Sequence, residues 1–119
     1  MKENENEGLY LIFHITTQSQ WSKYKETGGF LTETLTTERF IHCSSLNQLI
    51  RVANNLYLGQ RNLVLLCIQE DKVKSEVRYE GQNEKYPHIY GELNMDAIVN
   101  VIDFPQKKDG TFELPDELT

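Results

Sequence analysis

Three histidines, His14, His42 and His88, each interrupt a short run of β-branched and aromatic residues. Imidazole acts as a general acid or base near neutral pH and is the commonest protein ligand for metal ions. One histidine at the end of a strand is usually a structural residue that forms a hydrogen bond. Three histidines around one cavity would instead form a reactive site. The sequence therefore predicts a shared site, provided that the fold brings these rings together.

Polar residues spaced two apart accompany two of these histidines and a nearby strand. Because side chains alternate between the two faces of a strand, the members of each pair lie on one face. A carboxylate beside a cation in a cleft can act as an acid or stabilise positive charge, whereas an exposed pair contributes little. The three pairs are His42 with Ser44, Arg78 with Glu80, and His88 with Tyr90.

Other chemistry is open to the same residue types. Three histidines could bind a zinc ion for metal-dependent hydrolysis and leave a fourth position to water, although HxH and HExxH spacings are absent. Cys43 would precede a helix, where a thiolate nucleophile is favoured, but a free cysteine facing inward from a strand is usually a core residue. Cys67 lies within an apolar run and is expected to be core. A non-catalytic module, in which the histidines only connect strand ends, is the third alternative.

Two helices and six strands are predicted to carry these residues. Capping boxes at residues 17–20 and 45–48 predict helices that begin there, the first ending at Gly28 and the second at Gly59. Because both helices come early and most strands follow them, an α+β fold is favoured over a regular alternation. The strands are predicted at residues 10–15, 40–43, 63–68, 77–80, 86–90 and 97–104, with a short extended piece and loop at 29–37.

Length and charge indicate one domain with acidic ends. The chain has 119 residues and, with 12 basic and 18 acidic side chains, a formal net charge of −6. Residues 1–8 and 105–119 each carry −2, so the central region 9–104 also carries only −2. We expect a disordered acidic tail at 1–8, a single globular domain at 9–104 and a loosely ordered tail at 105–119.

The composition also restricts the partners. No apolar stretch approaches the roughly 18 residues that a membrane-spanning helix needs. The sequence lacks a basic run of the kind that would predict binding to duplex nucleic acid. Its scattered arginines can still bind a small anion. Two cysteines and an acidic, polar start that lacks the features of a signal peptide favour a reducing, cytoplasmic location. The oligomeric state is left open by the sequence.

The strings FHITT, FIHCS, LVLL, VRYE and PHIYG follow one another along residues 9–104. In this order they resemble domain-of-unknown-function family 952. That family is in turn similar to the ADP-ribosyltransferase-like superfamily, whose members use NAD or an intermediate that contains ADP-ribose. The resemblance implies a split, mostly antiparallel β core with two flanking helices.

The resemblance also assigns roles to individual residues. His14 corresponds to the polar position on the superfamily's first strand, which contacts the ribose of the nicotinamide half. His42 and Ser44 correspond to the second motif strand, where a ribose or ring contact is made, with a His in place of the more common Tyr. Glu80 is the candidate for the acidic catalytic position. The family's own string contains two further residues, His88 and Tyr90.

Such a site would break the bond between ribose and nicotinamide, which passes through an oxocarbenium-like cation. It needs a negative group near the developing charge, donors for the ribose hydroxyls and cations for a diphosphate. Glu80 would supply the first, and Arg78 or the helix start after Ser44 the third. The donors would be His14, His42 and Tyr90.

The leading hypothesis is therefore a protein that binds NAD, ADP-ribose or a related nucleotide and cleaves or transfers the ribosyl bond. Its activity would be that of an ADP-ribosyltransferase-like transferase or of an NAD glycohydrolase. NAD would then be a substrate, and no bound cofactor is expected.

Overall fold

Six β-strands and two α-helices are formed by the residues that the structure, a computed structural model, describes, which are 10–28 and 39–119. The tail predicted at 1–8 and the loop predicted at 29–37 lie outside the described residues. The helices are α1 (Gln18–Thr27) and α2 (Leu46–Leu56). The strands are β1 (Leu11–Thr17), β2 (Ile41–His42), β3 (Leu63–Gln69), β4 (Glu76–Glu80), β5 (Tyr86–Tyr90) and β6 (Ile98–Asp103).

The strands form two antiparallel sheets of three strands each, in the orders β1-β3-β6 and β2-β5-β4. An isolated bridge joins the two sheets at Phe13 and Ser44, and we call this bridge the seam. The backbone N–H of each residue donates to the carbonyl oxygen of the other, at 2.8 Å in both cases. The predicted α+β class, with a split antiparallel β core and two helices, is confirmed.

β3 forms the centre of the core because its side chains are buried on both faces. Residues 63–68 are each at most 4% exposed. One face packs against a cluster that includes Tyr24 of α1 and Ile89 of β5, and the opposite face packs against a cluster that includes Leu49 and Ala53 of α2. The continuous apolar run therefore predicts a central strand correctly.

Both helices begin at the capping residues that the sequence predicts. Thr17 Oγ1 accepts the backbone N–H of Gln20 at 3.1 Å, and Gly28 ends α1 with a left-handed φ of 76°. At the start of α2, Gln48 Oε1 accepts the backbone N–H of Ser45 at 2.9 Å and closes the capping box. Within the described ranges, neither helix is long and apolar enough to cross a membrane.

Several element boundaries differ from the predictions. α2 ends at Leu56, before the predicted Gly59. The strand predicted at 40–43 is reduced to the two residues of β2, because the chain there leaves β5 and pairs with β1 through Ser44. Ala97 lies in a 3₁₀ turn, so β6 begins one residue later than predicted.

Residues 105–119 follow β6 and lie against α2. Phe112 is 2% exposed, and its ring stacks on that of Phe104 with 4.8 Å between the centroids. Asn54 of α2 accepts the backbone N–H of Phe112 at 2.7 Å and donates to its carbonyl oxygen at 3.4 Å. The segment that the sequence treats as a loose tail thus adds a buried aromatic side chain to the core.

Candidate functional site

A cleft of about 440 Å³ opens beside the seam, where the last turn of α2 meets strands from both sheets. Phe13 and Ile15 of β1 and Val52 and Leu56 of α2 supply apolar surface to it. Its size falls near the lower end of the roughly 300–1,000 Å³ that is usual for small-molecule sites. Polar side chains line it as well, and these are His42, Ser44, Asn55, Glu80, Tyr86 and His88.

β2 and β5 bring two of the three histidines together. His42 and His88 are directly opposite each other in the strand register. Their ring centroids lie 5.1 Å apart in an edge-to-face arrangement, and both side chains line the cleft. Strand alternation puts them on the same face of the sheet, away from the buried Ile41 and Ile89.

The carboxylate of Glu80 lies at the edge of the same cleft and accepts two hydrogen bonds. Tyr90 Oη donates to Glu80 Oε1 at 2.6 Å, and His88 Nδ1 donates to the same oxygen at 2.9 Å. These bonds, that of Tyr90 first, lower the pKa of Glu80 below its ordinary value. Glu80 therefore stays ionised at neutral pH. Because His88 donates to Glu80 through Nδ1, Nε2 is the ring nitrogen that takes no part in this hydrogen bond.

Phe40 holds the histidine rings in place, and the sequence analysis did not identify it. Its ring stacks on His88 with 4.1 Å between centroids and an angle of 18°, and it meets the ring of His42 edge to face at 4.7 Å. The signal for it was present, because Phe40 lies two residues before His42 and strand alternation puts both on one face. An aromatic neighbour at that spacing is a candidate support for the rings.

Arg78 is near this group but is not part of the cleft wall. Its guanidinium lies 4.2 Å from the ring centroid of Tyr90, and its Nη2 is 3.0 Å from Glu76 Oε1. The hydrogen bond with Glu76 is the main reason why the pKa of Arg78 is raised. Arg78 thus packs on the ring whose hydroxyl donates to Glu80.

Ser44 lines the cleft, and its backbone forms the seam with Phe13. The N–H of Ser44 donates to Phe13, and the N–H of Ser45 donates to the side chain of Gln48. Both of these amides at the start of α2 already have protein acceptors. The phosphate site suggested by the sequence at this helix start therefore lacks these two donors.

His14, unlike His42 and His88, does not line the cleft. It is 7% exposed, and its Nδ1 donates to the backbone carbonyl oxygen of His42 at 2.6 Å. Burial lowers the pKa of His14 to about 4, although the hydrogen bond acts in the opposite direction. His14 is therefore neutral near pH 7 and supports the strand that carries His42.

The metal and thiol alternatives find little support in this geometry. Among the described residues, which include all three histidines, no group of three His, Cys, Asp or Glu side chains is arranged to hold a metal ion. Cys43 is 4% exposed, and burial raises the pKa of its thiol well above the usual range, which disfavours a thiolate. Cys67 is 1% exposed and is confirmed as a core residue.

Comparison with known proteins relates this chain to one uncharacterised group. A family model described as "Protein of unknown function (DUF952)" matches residues 15–101. The crystal structure of protein CC0527 from Caulobacter crescentus is similar with 28% identity and a TM-score of 0.83, covering 91% of this chain and 97% of that one. The solution structure of CC0527 gives 27% identity and a TM-score of 0.78, over 90% and 95% of the two chains. No curated protein matches the sequence.

Proposed function

This chain belongs to the DUF952 family of proteins of unknown function, and on that premise we propose that its cleft binds NAD, ADP-ribose or a related nucleotide. We further propose that it cleaves or transfers the ribosyl bond of that ligand. The similarity to ADP-ribosyltransferase-like proteins that the sequence strings imply motivates the proposal. The arrangement of polar groups around the cleft supports it independently of that resemblance.

One observation carries the proposal: an ionised carboxylate, Glu80, lies at the cleft edge and is fixed by two hydrogen-bond donors, Tyr90 and His88. Cleavage of an N-ribosyl bond develops positive charge on C1′ and the ring oxygen of the ribose. A carboxylate that is already oriented stabilises that charge without reorganising during the reaction. A neutral amide at this position would lack the stabilising charge.

The other polar residues have complementary roles in this proposal. The C1′–N bond breaks and its electron pair leaves with the ring nitrogen, while the oxygen of water or of an acceptor hydroxyl bonds to C1′. That oxygen loses a proton, which His88 Nε2 accepts and returns to solvent. His42 and Ser44 hold the ribose hydroxyls.

Two of the predicted residues, His14 and Arg78, support other site residues and do not contact the ligand. His14 is a positioning residue, because its hydrogen bond to the carbonyl oxygen of His42 holds β2. Arg78 packs on Tyr90 and pairs with Glu76, and so supports the hydroxyl that orients Glu80. Neither side chain is needed in contact with the reacting bond.

A nuclear magnetic resonance titration with NAD and with ADP-ribose tests binding, and chromatography of the NAD mixture tests release of nicotinamide. We expect shifts at the backbone amides of His42, Ser44 and His88, and slow release of nicotinamide. Glu80→Gln should bind ligand but release nicotinamide about 100-fold more slowly. Glu113→Gln is the matched control, since Glu113 is an exposed glutamate that does not line the cleft.

The contrary outcome is equally clear. If neither nucleotide at millimolar concentration shifts any amide around the cleft, the protein is not a nucleotide-binding protein of this kind. If both bind but Glu80→Gln and Glu113→Gln release nicotinamide at the same rate as the unchanged protein, Glu80 has no part in the reaction.

A further inference from the structure

The charge of the cleft wall restricts the part of a ligand that can enter it. Among the described residues that line the cleft, Glu80 is the only one of Asp, Glu, Lys or Arg type. The charge that a bound group meets is therefore negative, which disfavours a phosphate inside the cleft.

Three cations that lie within two residues of cleft-lining positions are already engaged. Arg51 pairs with Glu84, with 2.5 Å between Nη2 and Oε1, and Arg78 pairs with Glu76. The Nζ of Lys85 donates to a backbone carbonyl at 3.0 Å. A phosphate bound by one of these groups would have to compete with its present acceptor. At the start of α2, the amides of Ser44, Ser45 and Gln48 have acceptors in the protein and would have to exchange them for a phosphate.

The remainder of the cleft wall suits a flat, weakly polar ring. Ile15, Val52, Leu56 and Tyr57 all line it. The side chain of Leu56 is 69% exposed and therefore offers apolar surface that a ligand ring would cover. Asn55 of the same helix turn adds an amide that can bond to a ring substituent.

We propose that the cleft takes a nucleoside-sized N-ribosyl compound whose ring is neutral or cationic, and that any phosphate of the ligand stays in solvent. The inference rests on the proposed function and narrows it to a substrate class. The volume of about 440 Å³ fits one ring and one ribose better than a complete dinucleotide. NAD would then be recognised through its nicotinamide riboside half alone.

Isothermal titration of the full chain with nicotinamide riboside, nicotinamide mononucleotide and NAD tests the inference, since these ligands share ring and ribose and differ in phosphate. We expect dissociation constants within about threefold of one another, a difference below 1 kcal/mol. Raising the ionic strength should change the three affinities equally, because no phosphate contact is screened.

A gain-of-function variant sharpens the test. Leu56→Lys places a cation at the cleft wall, and at 69% exposure the position should tolerate it without loss of folding. This variant should bind the mononucleotide about tenfold more tightly than the riboside. Leu58→Lys is the matched control, since Leu58 is 57% exposed and does not line the cleft.

Two results overturn the inference in distinguishable ways. If the unchanged protein binds the mononucleotide at least tenfold more tightly than the riboside, a phosphate is recognised, the inference is wrong and the proposed function stands. Loss of that preference in Arg39→Ala would identify the cation responsible, one residue before Phe40. If none of the three compounds binds, the proposed function fails together with the inference.

Discussion

Side chains alternate between the two faces of the strands in both sheets, but the two sheets differ in which faces they bury. The β1-β3-β6 sheet is packed on both faces, and the central strand carries apolar residues at successive positions. The β2-β5-β4 sheet buries only one face, with Ile41 and Ile89. Its other face presents histidine, glutamate and tyrosine side chains to the cleft or to its margin. One sheet therefore supplies most of the burial, and the other presents the polar groups.

Stability and site chemistry therefore depend on different sheets of this chain. Substitutions in β3 should change the free energy of unfolding. Substitutions on the polar face of β4 and β5 should leave that free energy almost unchanged and alter the proposed reaction.

The largest effect is expected for Leu65→Ala in β3, because Leu65 is fully buried between two layers. Loss of its contacts and the resulting cavity should lower the free energy of unfolding by about 2–5 kcal/mol, measured by urea denaturation. Val99→Ala, at 46% exposure on β6, is the control and should change it by less than about 0.5 kcal/mol. Equal losses for the two variants would show that β3 is not the centre of the core.

On the polar face, Glu80→Gln should leave the urea midpoint within error of the unchanged protein and reduce ribosyl cleavage about 100-fold. The side chain of Glu80 is 39% exposed, so its stabilising contribution is small. A large fall in the urea midpoint would contradict the separation, because it would make this carboxylate part of the stabilising structure.

A pH dependence of stability is expected from His14, the histidine that lies outside the cleft. Its pKa is about 4 in the folded chain and about 6.5 when unfolded, so the unfolded chain binds more protons between these values. Stability should thus be complete above pH 6.5 and fall as the pH falls, by on the order of 2 kcal/mol between pH 7 and 5. Urea denaturation at several pH values measures this slope. His14→Gln should flatten it, and an unchanged slope in that variant would assign the effect to other groups.

The smallest effect is expected for Tyr90→Phe, which removes one donor to Glu80 and keeps the ring under Arg78. The pKa of Glu80 should rise towards its ordinary value, so the acidic limb of the kcat/KM profile should move to higher pH. Near neutral pH the rate should fall by tenfold or less, because the hydrogen bond from His88 still orients the carboxylate. An unmoved acidic limb would show that Tyr90 does not tune Glu80.

Local signals in the sequence were sufficient for most of the elements. The capping residues Thr17 and Ser45 mark where the two helices begin, because their partners lie three residues away in the chain. The apolar run of β3 identifies a central strand for a similar reason, since burial on both faces shows in consecutive residues. The DUF952 resemblance also follows from short strings and is confirmed by the family match.

Pairings between distant residues could not be predicted in the same way. His14 has the same local pattern as His42, yet its ring is buried against a carbonyl oxygen 28 residues away and not in the cleft. Which face of β1 looks towards the cleft is set by the seam, and no local pattern records that contact. The roles of the site residues and the binding of a nucleotide stay predictions.

Because the seam joins the two sheets, a ligand bound in the cleft should affect residues outside the cleft. Two hydrogen bonds between Phe13 and Ser44 join the sheets at this bridge, and the cleft is lined by residues of both. A molecule bound in the cleft would contact β1 and β5 together and would form a second connection between the sheets. Amide protons of β6, which the ligand never touches, should then exchange more slowly with deuterated solvent when the cleft is occupied.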